Sequence, residues 1–348
     1  MKKIAIIGAG MAGITAARTL KQAGFEVSVF EKSTHPSGRM SGLTTPMGSF
    51  DQGAQYFTVR DPRFLKALQE VPDTVNVVRA CGSTAVRVLD ARGRVLEASH
   101  PSKEPHFVAQ PSMGALVEHW SKPLVEEGQI HFNSRVHSIQ KDPRNSKLWQ
   151  LRLENHSEST HKGFEVVILA IPAPQAQQLI DNSTPQVYES DLRHALKRVE
   201  MGPCWTLMVA FAQASQLKSG HFGPQWNAAK STNHRIAWLS RESSKPSRAR
   251  VERWTIQAST EWSQEHIEDD HERIQAKMLK AFAELSGIYA QPSQANVKLW
   301  RYAKTLKPLG ETHLWDAKLN IGTCGDWHLG HRVENAFISG LSLALSLV

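Results

Sequence analysis

The feature that most constrains this chain is Gly8-Ala9-Gly10-Met11-Ala12-Gly13, a G-x-G-x-x-G run between an apolar segment and a helical pattern. Lys3 to Ile7 reads as a parallel strand buried on both faces. Ile14, Ala17 and Leu20 then recur at helical spacing, and Gly24 suits a helix stop. Phe25 to Phe30 reads as the next strand, completing a βαβ unit of about thirty residues. In such a unit the first glycine allows the tight turn and the second lets backbone approach a pyrophosphate. The third lets helix and strand pack closely. The helix start presents free N–H groups and a partial positive charge to phosphates. Glu31, followed by Lys32, closes the second strand where a carboxylate binds ribose hydroxyls.

That pattern serves NAD and FAD alike, and two further segments favour FAD. Ser37-Gly38-Arg39-Met40-Ser41 follows closely, offering a backbone turn and an arginine to the pyrophosphate. Near the C-terminus, Gly322-Thr323-Cys324-Gly325-Asp326-Trp327 ends a strand, placing Asp326 to bind a ribityl hydroxyl. A helix from about Glu334 can aim its N-terminus at the flavin's pyrimidine edge. A simple NAD fold has no need of so distant a closing strand.

The expected fold is α/β: a Rossmann-like FAD-binding domain with an inserted, smaller α+β substrate domain built on a mixed or antiparallel sheet. Residues 1–74, 105–172 and 298–348 are assigned to the first, and 75–104 and 173–297 to the second. A loop is expected over 36–46, hairpins over 75–96 and a helix over 62–70. A helix is also expected over 112–127, one strand over 130–139, and one long helix over 265–286.

Composition removes several classes. Hydrophobic residues at 41% and charged residues at 21% describe an ordinary globular chain. Lys+Arg 41 less Asp+Glu 33 gives +8, but the basic residues are scattered, which argues against nucleic-acid binding. The excess could equally attract an anionic membrane or a phosphate-bearing small molecule and does not choose between them. Cys81, Cys204 and Cys324 form no C-x-x-C pair, so no disulfide framework is expected and a reducing cytoplasm is the default. No apolar stretch approaches membrane-spanning length. His328 and His331 have no identifiable third ligand, so no metal is expected. The sequence carries no signal for oligomeric state.

Taken together, GAGMAG, Gly38-Arg39, Asp51-Gln52-Gly53-Ala54-Gln55-Tyr56-Phe57, Trp300-Arg301-Tyr302-Ala303 and Gly325-Asp326-Trp327…Arg332-Val333-Glu334 resemble the renalase-like branch of the flavin-containing amine-oxidase superfamily. The resemblance runs over nearly the whole chain. It implies non-covalent FAD held at Gly8, Ala9, Gly10, Met11, Ala12 and Gly13, then at Glu31, Lys32, Gly38, Arg39 and Met40. Gly53, Ala54, Gln55 and Tyr56 follow, with Asp326, Val333, Glu334, Asn335 and Ala336 at the far end. Val136 would touch the adenosine half through its backbone.

The resemblance also implies a reaction. Enzymes of this branch oxidise dihydronicotinamide isomers of NAD(P)H, with hydride at ring position 2 or 6. The hydride goes to flavin N5, the product is NAD(P)⁺, and molecular oxygen then yields hydrogen peroxide. The ring nitrogen pushes hydride out as the ring becomes aromatic, so the protein needs no strong base; it must hold the ring and stabilise the reduced flavin. Gln55, Tyr56, Trp238 and Trp300 are the residues expected to form that flat pocket. The alternatives are an amine oxidase, with Lys304 as its lysine, a desaturase, or an FAD-binding protein without turnover. Two departures stand out. Asn335 occupies a position where related chains carry glycine, a turn Asn can still make. Glu242, if it contacts substrate, would disfavour an anionic ligand.

Overall fold

Ile4, Ala5 and Ile6 are all 0% exposed, so the strand Lys3–Ile7 has no solvent face and must lie inside a sheet. The computed structural model describes residues 2–81, 86–98, 104–154, 160–216, 223–224 and 226–348. In it, Lys3–Ile7 is flanked in parallel by Glu26–Phe30 and Val166–Leu169. Ile130–His131 extends one side; Ile321–Thr323 and then antiparallel Leu314–Asp316 extend the other. The sheet therefore joins the two ends of the chain. The helix Met11–Gln22 packs against Val333–Leu345 so closely that a Cβ at Gly340 would fall 2.2 Å from the Ala12 carbonyl oxygen. This is an α/β fold with a Rossmann-like dinucleotide-binding unit.

A second, seven-stranded sheet has the order Gln294–Lys307, Glu200–Phe211, Glu252–Ala258, Ile236–Arg241, Ala228–Ser231, Val86–Leu89, Val95–Ala98. All its pairings are antiparallel except Ala228–Ser231 with Val86–Leu89. The helix His271–Ser286 covers one face, burying Ile274, Met278, Phe282 and Leu285 with Leu207, Val209, Trp254 and Ile256. The Asp270 carboxylate caps this helix by accepting from Arg273 N, and Gly287 at φ +72° ends it.

Several expected boundaries move. The loop over 36–46 contains a 3₁₀ turn, Gly38–Met40, and a strand, Gly42–Thr45, paired with Gly48–Asp51. The single strand over 130–139 is two, because Asn133 takes φ +53° and sends Val136–Asp142 into a separate three-stranded sheet. The helix expected over 265–286 starts later, as His271–Ser286, since Asp270 is extended, and a separate short helix, Thr260–Glu265, precedes it. Over 75–96, Val78–Cys81 pairs with His106–Ala109 rather than with its sequence neighbour. The expected boundary at 298 falls inside Gln294–Lys307, so residues 298–307 run with the seven-stranded sheet.

No helix among the described residues is long and apolar enough to cross a membrane. His328 and His331 diverge: His331 Nδ1 lies 3.1 Å from the Thr305 carbonyl oxygen. His328 is fully buried, its Nε2 3.0 Å from Thr323 Oγ1 and its ring stacked on Trp327. Burial, with His313 nearby, pushes His328 down to about 3. The unfolded chain protonates this ring below about pH 6.5 while the folded chain does not. Stability from His328 is thus complete above that pH and falls by about 1.4 kcal/mol per unit as pH drops toward 3. Urea unfolding between pH 6.5 and 4.5 should show this slope, flattened in His328→Gln; identical slopes would contradict it.

Candidate functional site

The glycine run takes the shape its spacing requires. Gly8 has φ +107°, and a Cβ at Gly13 would sit 2.0 Å from the Gly8 carbonyl oxygen. Ala9, Met11 and Ala12 bury their side chains in the core, leaving only backbone to face a ligand. The helix Met11–Gln22 starts with no side-chain cap and no acid in its first turn, the condition for an incoming phosphate to serve as the cap. Gly38, at φ +55°, meets the run head-on: a Cβ there would lie 3.1 Å from Gly10 Cα. Ser37 N donates to the Ala9 carbonyl at 3.1 Å and pins the two loops together. At the second strand's end the Glu31 carboxylate accepts from Ala9 N at 2.8 Å and Ser33 N at 2.9 Å. It is 6% exposed, an anchored negative charge beside the loop. Burial lowers the Lys32 pKa, Arg135 adds to this and Glu31 opposes it. Met40 and Val136 are both buried, in separate core clusters. These residues fit the ADP half of FAD.

The far end of the cofactor path is tightly built. Arg39 pairs bidentately with Asp326, Nη1–Oδ2 at 3.0 Å and Nη2–Oδ1 at 2.5 Å, so the two residues expected to act separately meet in one ion pair. A Cβ at Gly53 would fall 2.0 Å from the Arg39 carbonyl oxygen, and Ala54 N donates to that same oxygen at 3.0 Å. Glu334 uses its carboxylate internally: Oε1 accepts from Arg60 N at 2.6 Å and Asp61 N at 2.7 Å, while Oε2 pairs with Arg332 at 3.2 Å. Val333, Glu334, Asn335 and Ala336 form the first turn of Val333–Leu345, offering backbone rather than side-chain charge. Asn335 lies inside that helix and its Nδ2 donates to the Gly330 carbonyl. The positive φ foreseen for Asn335 belongs instead to Gly330, at +120°.

Where the hairpin strand Gly48–Asp51 meets the seven-stranded sheet lies a buried ion cluster. Asp51 Oδ2 accepts from Lys245 Nζ at 2.8 Å and Arg248 Nη2 at 2.9 Å, and Oδ1 accepts from Met113 N at 2.7 Å. Glu242 Oε1 accepts from Lys245 Nζ at 2.9 Å and Thr255 Oγ1 at 2.8 Å. Both acids are 0% exposed. Burial would raise Glu242, but Lys245 and Arg248 outweigh it and hold its carboxyl below the ordinary range. Burial pushes Asp51 the other way, Glu242 adding to it against the two cations. Glu242 Oε1 is paired with Lys245 and Glu242 is not among the residues lining the neighbouring cavity, while its Oε2 has no hydrogen-bond partner among the described residues.

Lys245 Nζ also donates to Gln55 Oε1 at 3.2 Å, while Gln55 Nε2 donates to the Asp51 and Gly53 carbonyls. The adjoining Tyr56 ring lies 4.1 Å from His106 and 5.7 Å from Trp238, centroid to centroid. Burial lowers the His106 pKa, so the ring is held neutral. Gln55, Tyr56, His106, Trp238 and Lys245 line one small cavity beside the seven-stranded sheet. Trp300 is not among its lining residues; its Nε1 braces the Gln52 carbonyl at 2.7 Å. Lys304 is exposed. His106, Lys245 and Arg248 were not anticipated: nothing local marks them, since Lys245 and Arg248 reach Asp51 across 194 and 197 residues.

Comparison with known proteins agrees with this geometry. Residues 6–71 match the NAD(P)-binding Rossmann-like domain, and residues 96–344 match the flavin containing amine oxidoreductase family. A 1-hydroxycarotenoid 3,4-desaturase of Flavobacterium sp. P99-3 is 40% identical over 74 residues, 21% of this chain and 15% of that enzyme. The chain thus matches only a small part of that curated relative's length. Among solved structures, a chain from Exiguobacterium sp. 255-15 assigned as a protoporphyrinogen oxidase superposes with a TM-score of 0.76 at 12% identity. That match covers 99% of this chain and 98% of that one. Cyclohexylamine oxidase from Brevibacterium oxydans gives 0.72 at 11%, covering 99% and 98%. At such identities the likeness establishes the fold alone.

Two predictions follow from the loops and the cluster. Glu31→Ala should weaken FAD binding at least about tenfold in an equilibrium titration of the apoprotein, since an anchored charge-assisted contact is worth more than about 1.4 kcal/mol. Unchanged affinity would remove Glu31 from the site. Lys245→Met leaves two buried carboxylates with one cation fewer and should cost about 3–5 kcal/mol in chemical unfolding; a loss under about 1 kcal/mol would mean the cluster is not the brace described.

Proposed function

The chain belongs to the flavin containing amine oxidoreductase family, and from that premise we propose that it is an FAD-dependent oxidase of flat hydride donors whose reacting ring is uncharged, dihydronicotinamide isomers of NAD(P)H with hydride at position 2 or 6. The observation that carries the reading is the charge of the cavity wall. It includes Tyr56, His106 and Trp238 but no Asp or Glu, and its one formal cation is Lys245. Both neighbouring acids are already neutralised. A protonated amine entering there would lose its water, find no counter-charge and face Lys245, an unfavourable exchange. An uncharged dihydropyridine suffers none of this.

FAD, when bound, supplies a two-electron acceptor that oxygen can reoxidise. The balance is one dihydronicotinamide, one oxygen and one proton giving one nicotinamide cation and one hydrogen peroxide. The chain's residues bind and orient. Tyr56 and Trp238 give the donor ring an apolar face, and the locked Gln55 amide fixes the floor beneath it. No side chain is required as a base, because hydride loss itself makes the ring aromatic. The net charge of +8 favours approach of a dinucleotide carrying phosphates.

The test is anaerobic stopped-flow of flavin absorbance with 2- and 6-dihydroNAD(P), ordinary NAD(P)H, putrescine and cyclohexylamine. Rapid bleaching by the isomers, at least about a hundredfold faster than by the amines, is expected. Bleaching by amines and not by the isomers would transfer the assignment to amine oxidation.

A further inference from the structure

Six tryptophans of this protein place their indole N–H on an acceptor: Trp120 on Thr74 Oγ1, Trp149 on the Leu319 carbonyl, Trp205 on that of His266, Trp254 on Glu252 Oε1, Trp300 on the Gln52 carbonyl and Trp327 on that of Ile171, at 2.7–3.0 Å. Trp238 does not. Its Nε1 is shielded from solvent and has no hydrogen-bond partner among the described residues. Indole N–H is a donor only, so what this atom lacks is an acceptor. A shielded donor left unpaired is costly enough that such groups are uncommon and mark an absent partner.

The surroundings narrow what that partner is. Trp238 lines the cavity with Tyr56, His106 and Gln55. Gln55 offers nothing further, since its Nε2 and Oε1 are both engaged by Asp51, Gly53 and Lys245. Lys245 Nζ is likewise taken, by Asp51, Glu242 and Gln55. Among these neighbours the Trp238 N–H is the donor that is shielded from solvent and without a partner, set in an aromatic wall.

We infer that Trp238 is a specificity-determining residue whose indole N–H binds an uncharged carbonyl oxygen, of the carboxamide type, carried on the flat ring of the substrate. This rests on the proposed reading of the site as one for flat hydride donors. A site built around such a donor discriminates strongly against analogues that lack the acceptor, because binding them leaves the donor buried and unpaired.

The test uses the FAD-loaded protein, wild type and Trp238→Phe, which keeps a ring and removes the N–H. One arm titrates the flavin spectrum with nicotinamide and with pyridine, both uncharged at neutral pH and differing only in the carboxamide. The other measures anaerobic flavin reduction by 1,6-dihydro-1-methylnicotinamide. Wild type should prefer the carboxamide ligand about tenfold or more, and Trp238→Phe should lose that preference and raise KM more than it lowers kcat, with FAD content unchanged. A wild type without the preference, or a Trp238→Phe protein that retains it, overturns the inference. The wild-type comparison alone decides the matter if the variant does not fold. If wild-type flavin is not reduced but the preference exists and is lost in the variant, the proposed reaction fails and the acceptor site stands. Reduction without any such preference has the opposite meaning.

Discussion

The salt-linked cluster of Asp51, Lys245, Glu242 and Arg248 is the constraint on which the rest of the site depends. Asp51 comes from the hairpin that follows the Gly38–Met40 turn, whereas the other three lie between two strands of the seven-stranded sheet. Four charges with 0–8% exposure are tolerable only when they satisfy each other, and the cluster holds two modules in one register for that reason. The same pairing fixes Gln55, and through Gln55 the start of the aromatic wall. It also pairs the one formal cation of the cavity wall, Lys245, with both acids.

Cofactor binding depends on a second close fit. Gly10 and Gly38 approach closely, and a Cβ at Gly38, which takes φ +55°, would crowd Gly10 Cα at 3.1 Å. Gly53 packs on Arg39 in the same manner. Each contact brings bare backbone to the path of the dinucleotide, and each is closed by a hydrogen bond between main-chain groups. Arg39 and Asp326 complete the path as an ion pair joining segments 287 residues apart in sequence.

How far the sequence disclosed this depends on distance along the chain. The glycine run, its strand and its helix were legible because their signals lie within a few residues of each other. Helix Pro62–Glu70 falls where its capping Asp61 and leading proline put it. Strand Gln294–Lys307 was not legible, since most of its residues are half-buried or exposed and polar, and a sheet-edge strand has no apolar rhythm to read. The turn at Asn133 was hidden inside an otherwise continuous strand pattern. Gln55, Tyr56 and Trp238 do converge on one cavity, but Trp300 braces the backbone beside it. The ion cluster could not have been inferred, because a lysine and an arginine in a polar loop look like solvated surface until Asp51 is brought to them.

Whether the cavity beside the seven-stranded sheet receives an uncharged ring is answered by a crystal structure of the FAD-loaded protein with nicotinamide, which carries no charge at neutral pH. The ring is expected against Tyr56 and Trp238, with Asp51, Glu242 and Lys245 still paired as they are here. Nicotinamide bound elsewhere, or either acid swung out of its pair, would count against a site for uncharged rings.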